Sequence, residues 1–253
     1  MSGRWVLAGR VVPAWGFLFD KDGTLLTFAH WRAVMEERAR RLAEELNLSE
    51  PQRQALARWM GGSSDHGQDE SWGLIPLPRP DAEQAVAERL ATVLGLDRPT
   101  LHARVARVFR EVDRDFPFEH HLQPTPGAEA CLRAIRRGGG RSAVVTHDVP
   151  SAAGRHLAAL GWDHLVDVVI GLDGTMERKP SPQPLLAACR ALGVPPEETV
   201  MVGDTVTDLV AGRGAGCALT VGVLTGLDPR EKLAPHADIV APDLATLGLA
   251  RAD

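Results

Sequence analysis

The sequence predicts an α/β fold with a central parallel sheet, interrupted after its first strand by an all-helical insert. Two observations support this prediction. After residue 126, short apolar runs alternate with amphipathic helical segments, whereas residues 28–122 show helical spacing only. Strands that alternate with helices are typical of βαβ units, which form parallel sheets.

The first strand of the sheet is predicted at residues 16–19, an apolar run that stops at the turn-forming residues 20–24. An apolar stretch over residues 11–19 is interpreted as a core strand and not a signal peptide, because it ends in Asp20 without a small-residue cleavage site. We expect a core domain of residues 1–27 and 123–253 and a helical cap domain of residues 28–122.

The insert is predicted from apolar residues at three- and four-residue steps, with Ser49 as the N-cap of its second helix. Residues 61–80 are rich in Gly, Ser and Pro, which favours a loop. The expected helices of the insert are 30–46, 51–60, 81–94 and 100–113. In the second half of the chain we expect helices at 128–137, 151–160, 182–192 and 208–214 and strands at 142–145, 166–170, 199–202 and 218–223.

Composition excludes several functions. The chain has 253 residues and a net charge of -5, from 28 basic and 33 acidic residues, which argues against a nucleic-acid partner. No apolar run approaches the length of a membrane span, so no membrane partner is expected. The three cysteines lie far apart and favour a reducing compartment. We expect a cytoplasmic monomer or homodimer. Three of the basic residues are lysines, namely Lys21, Lys179 and Lys232, and their scarcity makes each position informative.

Polar side chains follow four of the predicted strands, at the sheet edge where parallel α/β proteins bind ligands. Carboxylates about 4 Å apart repel by about 4 kcal/mol at an effective dielectric constant of about 20, so an acidic cluster there requires a cation. All-oxygen ligands favour Mg²⁺. The Lys179 ammonium, the Thr146 hydroxyl and the N–H groups of residues 22–24 are suited to phosphate oxygens. The groups after the four strands are Asp20 and Asp22, Thr146 and His147, Lys179, and Asp204 and Asp208.

These motifs resemble, in order, the four motifs of the haloacid dehalogenase (HAD) superfamily: Asp20-Lys21-Asp22-Gly23-Thr24, Thr146, Lys179-Pro180, and Gly203-Asp204 followed by Asp208. The insert resembles the C1-type cap of phosphoglycolate phosphatase and β-phosphoglucomutase relatives. The resemblance covers nearly the whole chain and implies a Rossmann-like core that uses Mg²⁺.

The resemblance also implies a role for each residue. Asp20 would be the nucleophile that forms an aspartyl-phosphate, and Asp22 would protonate the leaving oxygen and then activate water. Lys179 would hold phosphoryl oxygens and moderate the charge of Asp20. The implied phosphate-binding residues are Gly23, Thr24, Thr146, His147 and Lys179, and the implied metal ligands are Asp20, Asp22, Asp204 and Asp208.

The expected function is Mg²⁺-dependent hydrolysis of a small phosphorylated metabolite such as phosphoglycolate. The alternatives are a phosphomutase of the β-phosphoglucomutase type and a non-catalytic phosphometabolite-binding protein. Asp208 is also placed where an aspartate caps a helix. His147 stands where the family often has Asn, and Lys21 is expected to pack or pair at the surface without a role. Arg32, Arg58 and His66 are candidate substrate contacts from the insert.

Overall fold

The chain forms two compact units in a computed structural model that describes residues 3–62 and 72–252. One unit contains Met1–Phe28 and Leu122–Asp253, and the other contains Ala29–His121. His66 and part of the expected 61–80 loop lie outside the described residues. No helix among the described residues is both long and apolar enough to cross a membrane.

The described elements alternate in the larger unit and are helical in the smaller one. The strands are β1 (Arg4–Leu7), β2 (Arg10–Pro13), β3 (Gly16–Phe19), β4 (Arg141–Val145), β5 (Val168–Ile170), β6 (Thr199–Gly203), β7 (Leu219–Val223), β8 (Ile239–Ala241) and β9 (Ala250–Arg251). The helices are α1 (Ala29–Glu45), α2 (Glu50–Met60), α3 (Arg79–Leu94), α4 (Arg98–Asp115), α5 (Ala128–Arg137), α6 (Pro150–Ala159), α7 (Gln183–Leu192), α8 (Val206–Ala215) and α9 (Arg230–Leu233).

The six-stranded parallel sheet confirms the predicted fold class, with the strand order β5-β4-β3-β6-β7-β8. Phe19, the last residue of β3, pairs with Val144 of β4 on one side and Val202 of β6 on the other. The chain builds outward from β3 in one direction and from β6 in the other, so the two form a topological switch point. Ligands bind at the strand ends beside such a point, which places the ends of β3, β4 and β6 at the expected site.

Both faces of the sheet are covered, which explains why its strands are apolar throughout. Because side chains alternate along a strand, Phe17 and Phe19 point to the face covered by α5 and α6, and Leu18 points to the face covered by α7 and α8. All three side chains are at most 1% exposed. The buried strand therefore holds its last residue, and the loop that follows, against a rigid support.

A second, antiparallel sheet of order β2-β1-β9 changes the expectation for the N-terminus. The 11–19 stretch is not one core strand: its first part belongs to β2, and only Gly16–Phe19 joins the parallel sheet. Pro13, which has no N–H to donate, ends β2. The hairpin contributes Trp5, which is 0% exposed and packs edge-on against Phe17 with ring centroids 5.0 Å apart.

The helical unit packs around its own apolar cluster, which includes Val34, Leu42, Val86 and Phe109. Helix α2 begins after Ser49, as expected, and the Ser49 N–H donates to Gln52 Oε1 at 2.8 Å. The other helices of this unit begin or end within about two residues of the expected bounds, the usual uncertainty of helix ends.

Candidate active site

Asp20 lies directly after β3, where its N–H donates to the Val202 carbonyl at 2.9 Å. Its Oδ1 accepts a hydrogen bond from Lys179 Nζ at 2.6 Å, and this ammonium also donates to the Val145 carbonyl at 2.8 Å. Lys179 is therefore anchored to the end of β4 while it pairs with Asp20. Among the described residues, the side-chain hydrogen bond of Asp20 is accepted by Oδ1. Oδ2 is therefore the oxygen that is open to a phosphorus atom or a cation.

Asp204 follows β6 and is held from two sides. Its Oδ1 accepts from the Thr24 hydroxyl at 3.2 Å, and its Oδ2 accepts from the Leu227 N–H at 2.9 Å. Two glycines make room for this carboxylate: a Cβ at Gly23 would lie 2.4 Å, and a Cβ at Gly226 1.9 Å, from Asp204 Oδ2. Gly23 also has a φ of +87°, which disfavours any other residue.

Asp208 contacts both the start of a helix and the acidic cluster, so its two interpretations, as a helix cap and as a site residue, are compatible. Its Oδ2 accepts from the Thr205 N–H at 3.1 Å and from the Thr205 hydroxyl at 2.6 Å, at the start of α8. Its Oδ1 lies 2.6 Å from Lys179 Nζ. Asp208 is thus part of the helix cap and also an ion-pair partner of the lysine that holds Asp20.

The three carboxylates of Asp20, Asp204 and Asp208 form one acidic cluster, whose potential ligand oxygens lie within 4.8 Å of one another. Burial, together with repulsion within the cluster, raises the pKa of Asp20 to about 7 although Lys179 opposes the shift. Burial and the charges of Asp20 and Asp208 raise the pKa of Asp204 well above its usual value. The pKa of Lys179 is raised, because the negative charges of Asp20 and Asp208 have a larger effect than burial, which alone would lower it.

This charge arrangement suits a hard divalent cation. Three ionised carboxylates and one ammonium leave a net charge of -2, so one divalent ion would neutralise the cluster. The donors are all oxygen atoms, which favours Mg²⁺, Ca²⁺ or Mn²⁺ over the metals that prefer nitrogen or sulfur. Both Asp208 oxygens already accept hydrogen bonds or pair with Lys179, which fits a ligand that reaches the ion through water.

Thr146 and His147 follow β4 beside Lys179. Thr146 is 5% exposed, and its hydroxyl oxygen accepts from the Asp148 N–H at 3.1 Å. His147 lies at the exposed edge. Partial burial and the positive charges of Lys179 and Arg178 lower the pKa of His147 to about 4.

Asp22 lies beside a buried lysine. Lys21 is 0% exposed, and its Nζ lies 2.7 Å from Asp22 Oδ1, 3.2 Å from His156 Nδ1 and 3.5 Å from Asp148 Oδ2. The pKa of Lys21 is raised, because the negative charges of Asp22 and Asp148 have a larger effect than burial, which alone would lower it. The sequence interpretation of Lys21 as a surface residue is wrong, because its ammonium is enclosed by groups that come from other parts of the chain.

One of the expected phosphate-binding groups is occupied otherwise. The Gly23 N–H donates to the Leu26 carbonyl at 2.6 Å, within the tight turn of residues 20–26, so it is not available to an anion in this conformation. Thr24 is 0% exposed and its hydroxyl donates to Asp204, so this hydroxyl supports the carboxylate. The expectation for Thr24 concerned its N–H.

A fifth strand end, that of β7, also contributes to the site, and the sequence analysis did not predict it. The loop after β7 supplies the Leu227 N–H to Asp204 Oδ2, and the Asp228 N–H donates to the Asp204 carbonyl oxygen at 3.2 Å. Asp228 Oδ2 in turn accepts from the Val206 N–H at 2.8 Å, at the start of α8. The signal was present as a Gly-Leu-Asp segment soon after an apolar run.

Comparisons with known proteins agree with this geometry. A model of the haloacid dehalogenase-like hydrolases matches residues 16–216. The chain is 35% identical to the pyrophosphatase PpaX of Halalkalibacterium halodurans over 40% of this chain and 49% of that protein. It is 29% identical to a phosphoglycolate phosphatase of Aquifex aeolicus over 79% of this chain and 80% of that protein. Against several curated relatives the match spans about half of the relative's length.

Solved structures show the same fold. A putative β-phosphoglucomutase from Thermotoga maritima superposes with a TM-score of 0.65 at 22% identity, over 92% of this chain and 96% of that one. The family model spans all four strand ends predicted from the sequence, after β3, β4, β5 and β6, and most of the sheet that carries them. The chain therefore belongs to the haloacid dehalogenase-like hydrolase family.

Proposed function

We propose that this protein is a Mg²⁺-dependent phosphatase that hydrolyses a small phosphomonoester through an aspartyl-phosphate on Asp20. The observation that carries the proposal is the Asp20 carboxylate, which pairs with Lys179 at 2.6 Å inside a cluster of three buried acids. A nucleophilic carboxylate, a fixed ammonium and a cation-binding set in one place are what phosphoryl transfer by charge neutralisation requires.

In the proposed reaction each of these groups has one role. An Asp20 oxygen attacks phosphorus, the bond from phosphorus to the leaving oxygen breaks, and Asp22 gives that oxygen a proton. Asp22 then takes a proton from water as the water oxygen attacks the same phosphorus. The bond to Asp20 breaks, phosphate is released and the Asp20 carboxylate is restored. Lys179 stays in contact with Asp20 and attracts the phosphoryl oxygens by its positive charge, while the Thr146 hydroxyl donates its O–H to one of them.

Mg²⁺ fits the acidic cluster described above. The carboxylates of Asp20 and Asp204 and the backbone carbonyl of Asp22 would hold it directly, with Asp208 acting directly or through water. When bound, the ion supplies positive charge that screens the repulsion between Asp20 and the incoming phosphoryl group.

The substrate class rests on the relatives. A relative from Aquifex aeolicus that is similar over most of its length is a phosphoglycolate phosphatase, so phosphoglycolate is a candidate substrate here. We also propose a cytoplasmic location, in keeping with three free cysteines. A phosphomutase is the second candidate, since the same fold occurs in the putative β-phosphoglucomutase of Thermotoga maritima.

The test is phosphate release from a panel of esters with Mg²⁺ and with EDTA. The panel contains phosphoglycolate, glycerol phosphate, a hexose phosphate and p-nitrophenyl phosphate. We expect release that requires Mg²⁺ and falls at least about 10³-fold in Asp20→Asn, because the nucleophile is lost. Lys232→Met, which changes a side chain that is 66% exposed, is the control and should retain activity. Isomerisation of the hexose phosphate without phosphate release would favour the mutase, and Asp20→Asn with full activity would contradict the proposal.

A further inference from the structure

Lys21 is a fully buried lysine that the reaction described above does not use. Its Nζ faces Asp22 Oδ1 at 2.7 Å, His156 Nδ1 at 3.2 Å and Asp148 Oδ2 at 3.5 Å. An ammonium has three N–H donors and no acceptor, so the histidine nitrogen is an acceptor. Two hydrogen bonds and an ion pair with Asp148 therefore surround the ammonium.

The partners of Lys21 are themselves fixed. Asp148 Oδ1 accepts from the Val149 N–H at 2.8 Å at the start of α6, and the Asp148 N–H donates to the Thr146 hydroxyl oxygen. His156 lies on α6 and is 3% exposed. The Lys21 carbonyl accepts from the N–H groups of both Leu25 and Leu26 at 2.9 Å. Lys21 therefore joins the loop after β3 to the loop and helix after β4.

Burial of this charge is costly, so its position calls for a reason. An unpaired buried ammonium is strongly unfavourable, and pairing only offsets that cost. The protein uses lysine for three of its 28 basic residues, and two of the three are buried at this site. Each of these two lysines pairs with a different aspartate: Lys179 pairs with Asp20, and Lys21 pairs with Asp22. A planar guanidinium presents five donors in a fork and does not match this compact set of three acceptors.

We propose that Lys21 is a positioning residue for Asp22: by holding Asp22 Oδ1, with Asp148 and His156 as its support, it directs the second oxygen of Asp22 to the leaving group. The proposal rests on the proposed function, in which Asp22 is the general acid. The proton that Asp22 gives away sits on Oδ2, because Oδ1 accepts from the ammonium. As the bond from phosphorus to the leaving oxygen breaks, the Oδ2–H bond breaks and that proton moves to the leaving oxygen.

Leaving groups of different basicity separate positioning from general damage. A nitrophenolate departs without a proton, whereas an alkoxide departs only when it is protonated. The specificity constant kcat/KM reports on steps up to the first irreversible bond cleavage, which is the step that uses the acid. A misplaced acid therefore lowers kcat/KM for alkyl esters and spares p-nitrophenyl phosphate. Damage to Asp20, the metal site or folding lowers both.

The experiment compares Lys21→Met with Lys232→Met, the same substitution at an exposed lysine. For each, kcat/KM is measured with p-nitrophenyl phosphate and with the alkyl ester of the panel that wild type hydrolyses fastest. We expect Lys21→Met to lose about 10- to 100-fold more on the alkyl ester than on the aryl ester, the cost of a small misplacement of a catalytic group. Lys232→Met should keep the wild-type ratio of kcat/KM between the two esters, because its exposed ammonium pairs with Asp228 and not with Asp22.

Lys21→Met removes the ammonium that lies between two partly buried carboxylates, so a second variant protects the test against misfolding. Asp148→Asn keeps Lys21 paired with Asp22 but weakens its support, and we expect a selective loss in the same direction that is smaller. Equal losses on both esters in the variants, with an active wild type, would overturn the role of Lys21 and leave the proposed function standing. Wild type that releases phosphate from no ester would overturn both.

Discussion

Replacement of Asp20 by Asn removes one negative charge from a buried acidic cluster. We therefore expect the Asp20→Asn variant to be more stable than wild type in metal-free solution at about pH 8, although it is inactive. The cluster is arranged for a cation, and without one its members repel each other. If removal of the nucleophile's charge stabilises the folded protein, the rest of the fold must be holding these carboxylates close together against their repulsion.

The magnitude follows from the pKa of Asp20, which rises from 3.8 to about 7 mainly because of burial. A shift of about three units corresponds to about 4 kcal/mol at about 1.4 kcal/mol per unit, and this is the upper limit of the gain. Asn keeps an oxygen that accepts from Lys179 but loses the ion pair, so we expect a gain of about 1–3 kcal/mol. In a chain of this size each kcal/mol raises Tm by about 2–4 °C.

The sign of the pH dependence follows from the direction of the shift. Since the pKa of Asp20 is higher in the folded state than in the unfolded state, its protonation stabilises the fold at low pH. That contribution is lost as pH rises from about 4 to about 7. The advantage of Asp20→Asn should therefore be largest at about pH 8 and less than half as large at about pH 5.

The assay is thermal and denaturant unfolding of both proteins in EDTA at the two pH values. Addition of Mg²⁺ should stabilise wild type more than the variant, because the ion gains less from a neutral amide than from a carboxylate. Asp20→Asn that is equally or less stable than wild type in EDTA at the higher pH would refute the reasoning.

Three further predictions concern the groups around Asp20. Lys179→Met should lower kcat/KM at least about 10²-fold, because two carboxylates lose their cation, and an activity within tenfold of wild type in phosphate-release assays would contradict this. Asp204→Asn should raise the Mg²⁺ concentration for half-maximal activity at least about tenfold, measured by titration of phosphate release; an unchanged titration would show that Asp204 is no ligand. Gly226→Ala places a Cβ 1.9 Å from Asp204 Oδ2 and should also raise the Mg²⁺ concentration for half-maximal activity. Its control, Gly154→Ala, adds a Cβ with no atom within 4 Å and should leave the titration unchanged.

Much of the fold could be predicted because the strands of the parallel sheet are buried on both faces. Each is a short apolar run bounded by turn residues, so strands β3, β4, β6 and β7 were predicted with bounds close to those observed. The β1–β2 hairpin was missed because it lies beside β3 with only Ala14 and Trp15 between them. In the sequence the β2 and β3 segments read as one apolar run, and only their pairing in two different sheets shows that they are two strands.

The site was predictable where polar residues follow the end of a strand. Asp20 and Asp204 come directly after apolar runs, Lys179 follows an apolar run past a turn, and the structure brings the three together. Lys21 could not be interpreted in this way, because its partner His156 is 135 residues away and its sequence neighbours are charged. The role expected for Thr24 concerned its backbone N–H, and the contact of its hydroxyl with Asp204 could not be predicted, because the two residues are 180 positions apart.

The central claim is that Asp20 carries the phosphoryl group covalently during turnover. The most direct measurement is to quench wild type during turnover of its best ester with Mg²⁺, reduce acyl phosphates with borohydride and map the reduced residue by mass spectrometry. We predict reduction at residue 20 in wild type and none at that position in Asp20→Asn. An active wild type whose reduced residue lies elsewhere, or that shows none, would contradict the claim.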